Sequence, residues 1–198
     1  MSDGVLRLKV VLADTEPPIW RRIEVPADLT LKELHAVIQA AMGWENAHLY
    51  QFHVGRETIA GPGMGGGGFL GPRPASAGQV RLDDLATHGV KRFTYLYDMG
   101  DSWEHQIKIE KMLPSDPLAA YPRLIDGARR CPPEDCGGIP GFYAFLDAIN
   151  DPKHPDHADR IDWYGGRFDP GSLDIEPIQK HLAQIATRRK RAIAKRGH

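Results

Sequence analysis

Leu6, Leu8, Val10 and Leu12 alternate with Arg7, Lys9, Val11 and Ala13, the period of two expected of a half-buried strand. A turn rich in proline and acid follows at Asp14 to Pro18, and Ile19 to Val25 alternates again, so the two runs read as a hairpin. Thr30-Leu31-Lys32-Glu33 has the spacing of a capping box, with Leu29 and Leu34 placed as a hydrophobic staple. Leu34, Ile38, Ala41 and Met42 carry one apolar face onward to Gly43, which predicts a helix over Thr30 to Met42. Leu49 to Val54 reads as a third strand with Tyr50, Phe52 and Val54 on one face. Strand, strand, helix, strand is a β-grasp-like order.

Further along, Phe93, Tyr95 and Tyr97 alternate, as do Trp103, His105, Ile107 and Ile109. A two-residue turn at Met99-Gly100 would put these two apolar sets on opposite faces, because a shift of one residue flips every side chain. Burial of both sets therefore requires an odd loop of three or five residues, expected to carry a bulge, with His105 across from Tyr95.

The remainder reads as helical. Phe142, Phe145, Leu146 and Ile149 keep helical spacing up to Pro152, Pro155 opens a short helix ending at Gly165-Gly166, and a last helix starts near Pro177. The expected fold is one α+β domain over residues 1–198: a mixed, mainly antiparallel sheet of about five strands, a packed helix and a helical C-terminal section. Residues 61–78 hold eight glycines and three prolines, which suits a flexible surface insertion. This stretch lacks the Gly-Lys-Ser/Thr ending of a phosphate-cradling loop.

Composition narrows the function classes. No apolar run approaches the ~18 residues that cross a bilayer, and Met1 to Gly4 leads into a strand pattern in place of a signal peptide, so a cytoplasmic location is expected. The net charge is −1, but residues 188–198 carry six bases and no acid, which leaves −7 on the rest. Ten acids against three bases over residues 134–176 form an acidic pole. A nucleic-acid or acidic-protein partner would meet the tail at Arg188, Arg189, Lys190 and Arg191, or the aromatic and basic run Trp20-Arg21-Arg22. A solvated helix end is the plainer account of the tail.

Two segments concentrate chemistry: Tyr97-Asp98-Met99-Gly100-Asp101-Ser102-Trp103-Glu104-His105 and Cys131-Pro132-Pro133-Glu134-Asp135-Cys136-Gly137-Gly138. If the fold joins them, Asp98, Asp101, Trp103, His105, Cys131, Glu134 and Asp135 line one cleft. Asp98, Asp101 and His105 would then suit a divalent metal, the one inorganic group these residues suggest. Aspartates at such positions also serve turns through local backbone hydrogen bonds, and a histidine on an apolar strand face is commonly a core residue. Cys131 or Cys136 activated by His105 would make a nucleophile, whereas small buried cysteines are ordinary core. Their C-x4-C spacing is no zinc-finger signature, and His154 and His157 near Asp151, Asp156 and Asp159 offer a second metal-like patch, of which a solvated helix start is the plainer account.

Together with Pro17-Pro18-Ile19-Trp20-Arg21-Arg22-Ile23, these two segments resemble the plasmid pRiA4b ORF-3-like family, and His154, Trp163 and Phe168-Asp169-Pro170 fit its C-terminal pattern. The resemblance runs from Leu6 to Leu182, with Met99 in place of an expected Phe and Cys136 where an aliphatic residue is common. It implies a protein found on plasmids, in bacterial and archaeal chromosomes and as an insertion-element passenger, sometimes labelled a resolvase. No serine-recombinase core or tyrosine-recombinase residue set supports that label, and the resemblance supplies no catalytic residue. The resulting expectation is a non-enzymatic binding or accessory module of plasmids and mobile elements, with no cofactor. The alternative is a metal-dependent hydrolase or nuclease.

Overall fold

The computed structural model describes residues 4–64 and 74–196, with side chains through Lys195. The elements run β1 (Gly4–Leu12), β2 (Trp20–Pro26), α1 (Leu31–Met42), β3 (Tyr50–Val54), β4 (Glu57–Ala60), β5 (Ala75–Ser76), α2 (Leu82–Thr87) and β6 (Arg92–Tyr97). They continue as β7 (Trp103–Pro114), β8 (Arg123–Ala128), α3 (Gly138–Asn150), α4 (His157–Tyr164) and α5 (Ile175–Arg196). Eight strands form one sheet in the order β5-β4-β3-β6-β7-β1-β2-β8, antiparallel except for the β4–β5 pair.

The α+β class is as expected, but the sheet has eight strands instead of about five. The added strands β4, β5 and β8 are short and lie toward the two edges, where few side chains are buried and the alternating signal is weak. The β-grasp-like start also goes no further than element order, because β6 and β7 separate β3 from β1. Residues 65–73 of the glycine-rich stretch lie outside the described residues. Its far flank is built into the fold: Ala75–Ser76 pairs with β4, and Ala77 is fully buried.

Burial on one sheet face explains the register. Leu6, Leu8, Val10, Ile23, Val25, Phe52, Phe93, Tyr95, Tyr97, Trp103 and Ile107 all enter the core on that face. Tyr97 pairs with Trp103 and Tyr95 with His105, so the loop is the five-residue one, Asp98 to Ser102, and the β6–β7 ladder runs without a bulge. The bulge falls instead on the other side of β7, against Arg7 and Leu8.

Helix α1 covers this face. Thr30 Oγ1 accepts the Glu33 N–H while the Glu33 carboxylate accepts the Thr30 N–H, and Gly43 closes the helix in the left-handed region. Leu29 and Leu34 are fully buried beside this cap. Helix α5 packs on α1 through Ile178, Leu182 and Ala186. Arg189 is pinned 2.5 Å from both Asp28 and Glu33, so one of the four tail bases is committed to the monomer. Among the described residues no helix is long and apolar enough to cross a membrane.

Candidate functional site

The β6–β7 loop is held by its own aspartate. Asp98 and Ser102 both have positive φ; Asp98 Oδ1 accepts the Gly100 N–H at 2.8 Å, and the Asp98 carbonyl accepts the Ser102 N–H at 2.7 Å. Asp98 N–H is itself anchored to the Leu49 carbonyl. The turn's side-chain hydrogen bond uses Oδ1 alone, and the Asp98 side chain is only 11% exposed.

The Cys131 to Gly138 loop packs directly on that tip. Asp101 Oδ2 accepts the Gly137 N–H at 3.1 Å, and a Cβ on Gly138 would lie 2.6 Å from the Asp101 carbonyl oxygen. Gly138 also has a φ of +67°, so glycine is required there twice over. The two distant segments therefore share one surface.

The chain between α1 and β3 is threaded between them. Trp44 Nε1–H donates to the Pro132 carbonyl at 2.9 Å, the Glu45 N–H donates to Glu134, and the Tyr97 hydroxyl donates to the same Glu134 oxygen at 2.7 Å. Burial first, and the Glu134 carboxylate second, raise the Tyr97 phenol above its ordinary range, so it stays protonated as the donor. This threading delivers His48. Its Nε2 lies 3.1 Å from Asp135 Oδ1 and 3.7 Å from Asp98 Oδ2, yet it makes no aligned hydrogen bond. Among the described residues, His48, Asp98 and Asp135 form the one group of three whose ligand atoms lie within 4.8 Å of one another. One imidazole and two carboxylates suit a hard or borderline divalent ion.

The proposed set Asp98, Asp101 and His105 does not assemble. His105 alternates with Trp103 on the inner face, is fully buried, and points its ring at Trp44 and Tyr95. Burial lowers its pKa to about 4, against the raising effect of the Tyr95 and Trp103 carbonyls beside Nδ1. It is a neutral core histidine. Trp103, its ring tilted against that of Trp44 at 5.8 Å, belongs to the same core.

A nucleophilic cysteine paired with His105 does not form either. Cys131 is buried against Met42 and Arg21, and desolvation raises its thiol pKa even though the Arg21 guanidinium lowers it. Burial, then the Asp101 charge, push Cys136 up to about 12. His154 Nδ1 accepts the Asp156 N–H locally, and the His157 ring bonds the Ala148 carbonyl of α3, so both serve the α3–α4 junction.

Behind the Pro132 to Glu134 segment is a cavity of about 370 Å³ lined by Arg21, Trp44, Glu134, Phe168 and His181 among others. Arg21 is fully buried and, among the described residues, has no carboxylate partner. Its guanidinium donates to the carbonyls of Ala41, Trp20 and Ala128 and to the Cys131 sulfur. The carbonyl of Ala41 belongs to the negative end of α1, which offsets part of the cost of burying the charge.

Of the residues expected in one cleft, Asp98, Asp101, Glu134 and Asp135 do meet at the loop junction, whereas Trp103, His105 and Cys131 lie beneath it as core. Sequence reasoning missed His48 and Trp44. Both stand in an irregular stretch between a helix and a strand, and no spacing rule connects them to either motif.

Comparison with known proteins gives a consistent result. A family described as plasmid pRiA4b ORF-3-like protein matches residues 4–177. An uncharacterized protein, y4hQ, of Sinorhizobium fredii is 40% identical over 190 residues, covering 95% of either chain. The crystal structure of a protein of unknown function, MM3350, from Methanosarcina mazei Go1 superposes with a TM-score of 0.77 at 34% identity, covering 87% of this chain and 96% of that one.

Proposed function

The chain belongs to the plasmid pRiA4b ORF-3-like family, and from that premise we propose that it is a non-enzymatic binding module whose ligand enters the cavity behind the Cys131 to Gly138 loop. The single supporting observation is the wall of that cavity: a buried Arg21 that makes no salt bridge among the described residues, beside Trp44, Phe168 and His181. A concave site with aromatic walls and a few polar groups, here Glu45, Arg130, Glu134, Asp174 and His181 besides Arg21, is the usual form of a small-ligand pocket. Arg21 is committed to its internal acceptors, so the basic groups that favour an anionic ligand are Arg130, whose Nε has no hydrogen-bond partner among the described residues, and His181. An accessory role on plasmids is supported by the family's name alone.

The test is a titration with phosphate and a panel of small carboxylates, read by tryptophan fluorescence and melting temperature. We expect a saturable response to at least one anion, weakened about tenfold or more in His181→Ala and Trp44→Phe, with the bound molecule recovered unchanged. A panel without any saturable response sinks this reading.

The grouping of His48, Asp98 and Asp135 favours a second reading, a metal-dependent hydrolase in which these side chains hold the ion. Elemental analysis of protein purified without a His tag decides it. Stoichiometric metal that disappears in His48→Ala and Asp135→Asn supports that reading, and metal-free protein removes it.

A further inference from the structure

Away from both loops, the sheet has a second face that the helices leave open. Its polar side chains come from the alternate positions of β1, β2, β6 and β7, so the strand register fixes which of them are neighbours. Lys9 pairs with Arg22 on one side and with Lys108 on the other, and Lys108 pairs in turn with Arg92. Four cations therefore stand in one row across β2, β1, β7 and β6, a span of about 14 Å at the ordinary strand spacing.

Like charges directly opposite one another destabilise a sheet. Only Arg22 in this row is neutralised, by Glu110 and Asp126. Lys9, Lys108 and Arg92 make no salt bridge among the described residues; Glu110, the one acid lining their groove, is hydrogen-bonded twice by Arg22 and attracts Lys108 and Lys9 more weakly, so one carboxylate is shared among three cations. The groove itself encloses about 580 Å³ and is lined by Lys9, Lys108, Arg92, His53, Gln106 and Glu110 among others. Trp20 stands beside the row on the same face, with Lys9 Nζ 4.7 Å and Arg22 Cζ 5.2 Å from its ring centroid.

We infer that this row binds single-stranded nucleic acid, with the phosphates on Lys9, Lys108 and Arg92 and a base against Trp20. Unpaired cations along a groove and an adjacent aromatic ring are the two components such sites combine. Reading a duplex calls for a helix or ribbon that enters its groove, whereas this surface is itself concave. The acidic pole at residues 134–176 opposes non-specific attraction of a polyanion elsewhere, which concentrates binding on this face.

Fluorescence anisotropy on the full chain tests the inference, with a labelled oligothymidylate of about 20 nucleotides at about 50 and 200 mM NaCl. Wild type should bind, and more weakly in the higher salt. Lys9→Gln, Arg92→Gln and Lys108→Gln combined should raise Kd more than about tenfold and lower the log–log salt slope by about 2, from ~0.7 per lost phosphate contact. Arg188→Gln, Lys190→Gln and Arg191→Gln combined should leave most of the binding intact. A melting temperature of the row variant no lower than that of wild type shows that it is folded. The inference is overturned if wild type does not bind at low salt, if the row variant binds as well as wild type, or if only the tail variant loses binding. Tighter binding to a duplex of equal length, or saturable binding of inorganic pyrophosphate without binding of the oligonucleotide, overturns it as well.

Discussion

Two neighbouring rows on the open face of the sheet solve the same electrostatic problem in opposite ways. In the first, Arg7, Glu24 and Arg123 lie across β1, β2 and β8 with alternating sign. Glu24 takes two hydrogen bonds from each guanidinium, at 2.6 to 3.0 Å, and its side chain is only 2% exposed. In the second, two residues further along β1, Lys9, Lys108 and Arg92 lie side by side and, among the described residues, form no salt bridge, with only the Arg22-bound Glu110 attracting the two lysines. The fold pairs its charges where they serve the sheet alone. The unpaired row therefore marks the part of this face that structure by itself does not account for.

The largest expected effect comes from breaking the paired row. Glu24→Gln leaves two guanidinium groups facing a neutral amide and should cost about 2–3 kcal/mol in urea unfolding, below the ~3–5 kcal/mol of a wholly buried pair because both arginines are partly exposed. The sign with pH follows from the same contacts. Burial pushes the Glu24 carboxyl up, but the hydrogen bonds from Arg7 and Arg123 outweigh burial and hold it below its ordinary value. Its contribution is thus present above the unfolded carboxyl pKa and lost as pH falls through the depressed one. Glu24→Gln should flatten the acid limb of the stability curve below about pH 4.5; an unchanged acid limb would show that the clamp is electrostatically idle.

The closed face adds a term in a different pH window. His105 and His35 are buried, which lowers each to about 4 from an ordinary value near 6.5, the hydrogen bond that His35 Nε2–H donates to Asn46 Oδ1 opposing this for His35. The unfolded chain then binds more protons between those values, so stability is complete above about pH 6.5 and falls as pH drops toward 4. Unfolding at pH 7 and pH 5 should differ by roughly 2 kcal/mol per histidine. His105→Phe should remove about half of that difference and leave the Glu24 limb intact, which separates the inner face from the outer one.

Much of this was legible before any coordinates. The capping box at Thr30 and the left-handed Gly43 could be read because their chemistry is local, within four residues of backbone. The pairing of Tyr95 with His105 could be read because burying two alternating sets on one face leaves only odd loops. Strand β8 could not, since Leu124 is its one buried residue, and neither could β4 and β5, whose pairing closes the far edge of the sheet. At the site, Asp98, Asp101, Glu134 and Asp135 announced themselves through turn residues. His48 entered only because Trp44 and Glu45 bind the second loop and carry the intervening chain past the first, a consequence of tertiary packing without local signature. His105 misled for a related reason: the same alternation that gives it a strand position turns it inward, away from the carboxylates two residues before the strand begins.

The smallest effect is the sharpest test of the comparison, because its sign is unusual. Lys108 stands between Lys9 and Arg92, so Lys108→Gln removes two like-charge contacts at once while keeping a long polar side chain on an exposed position. Most substitutions destabilise, yet this one should stabilise the fold by a few tenths of a kcal/mol at low ionic strength, within the roughly 0.2–1 kcal/mol assigned to a cross-strand pair. Raising salt to about 1 M shrinks the screening length to about 3 Å and should erase the gain. Matched urea titrations at low and high salt read both halves of the prediction. If Lys108→Gln is destabilising at both, Glu110 already neutralises the row, and the two rows differ in geometry but not in energy.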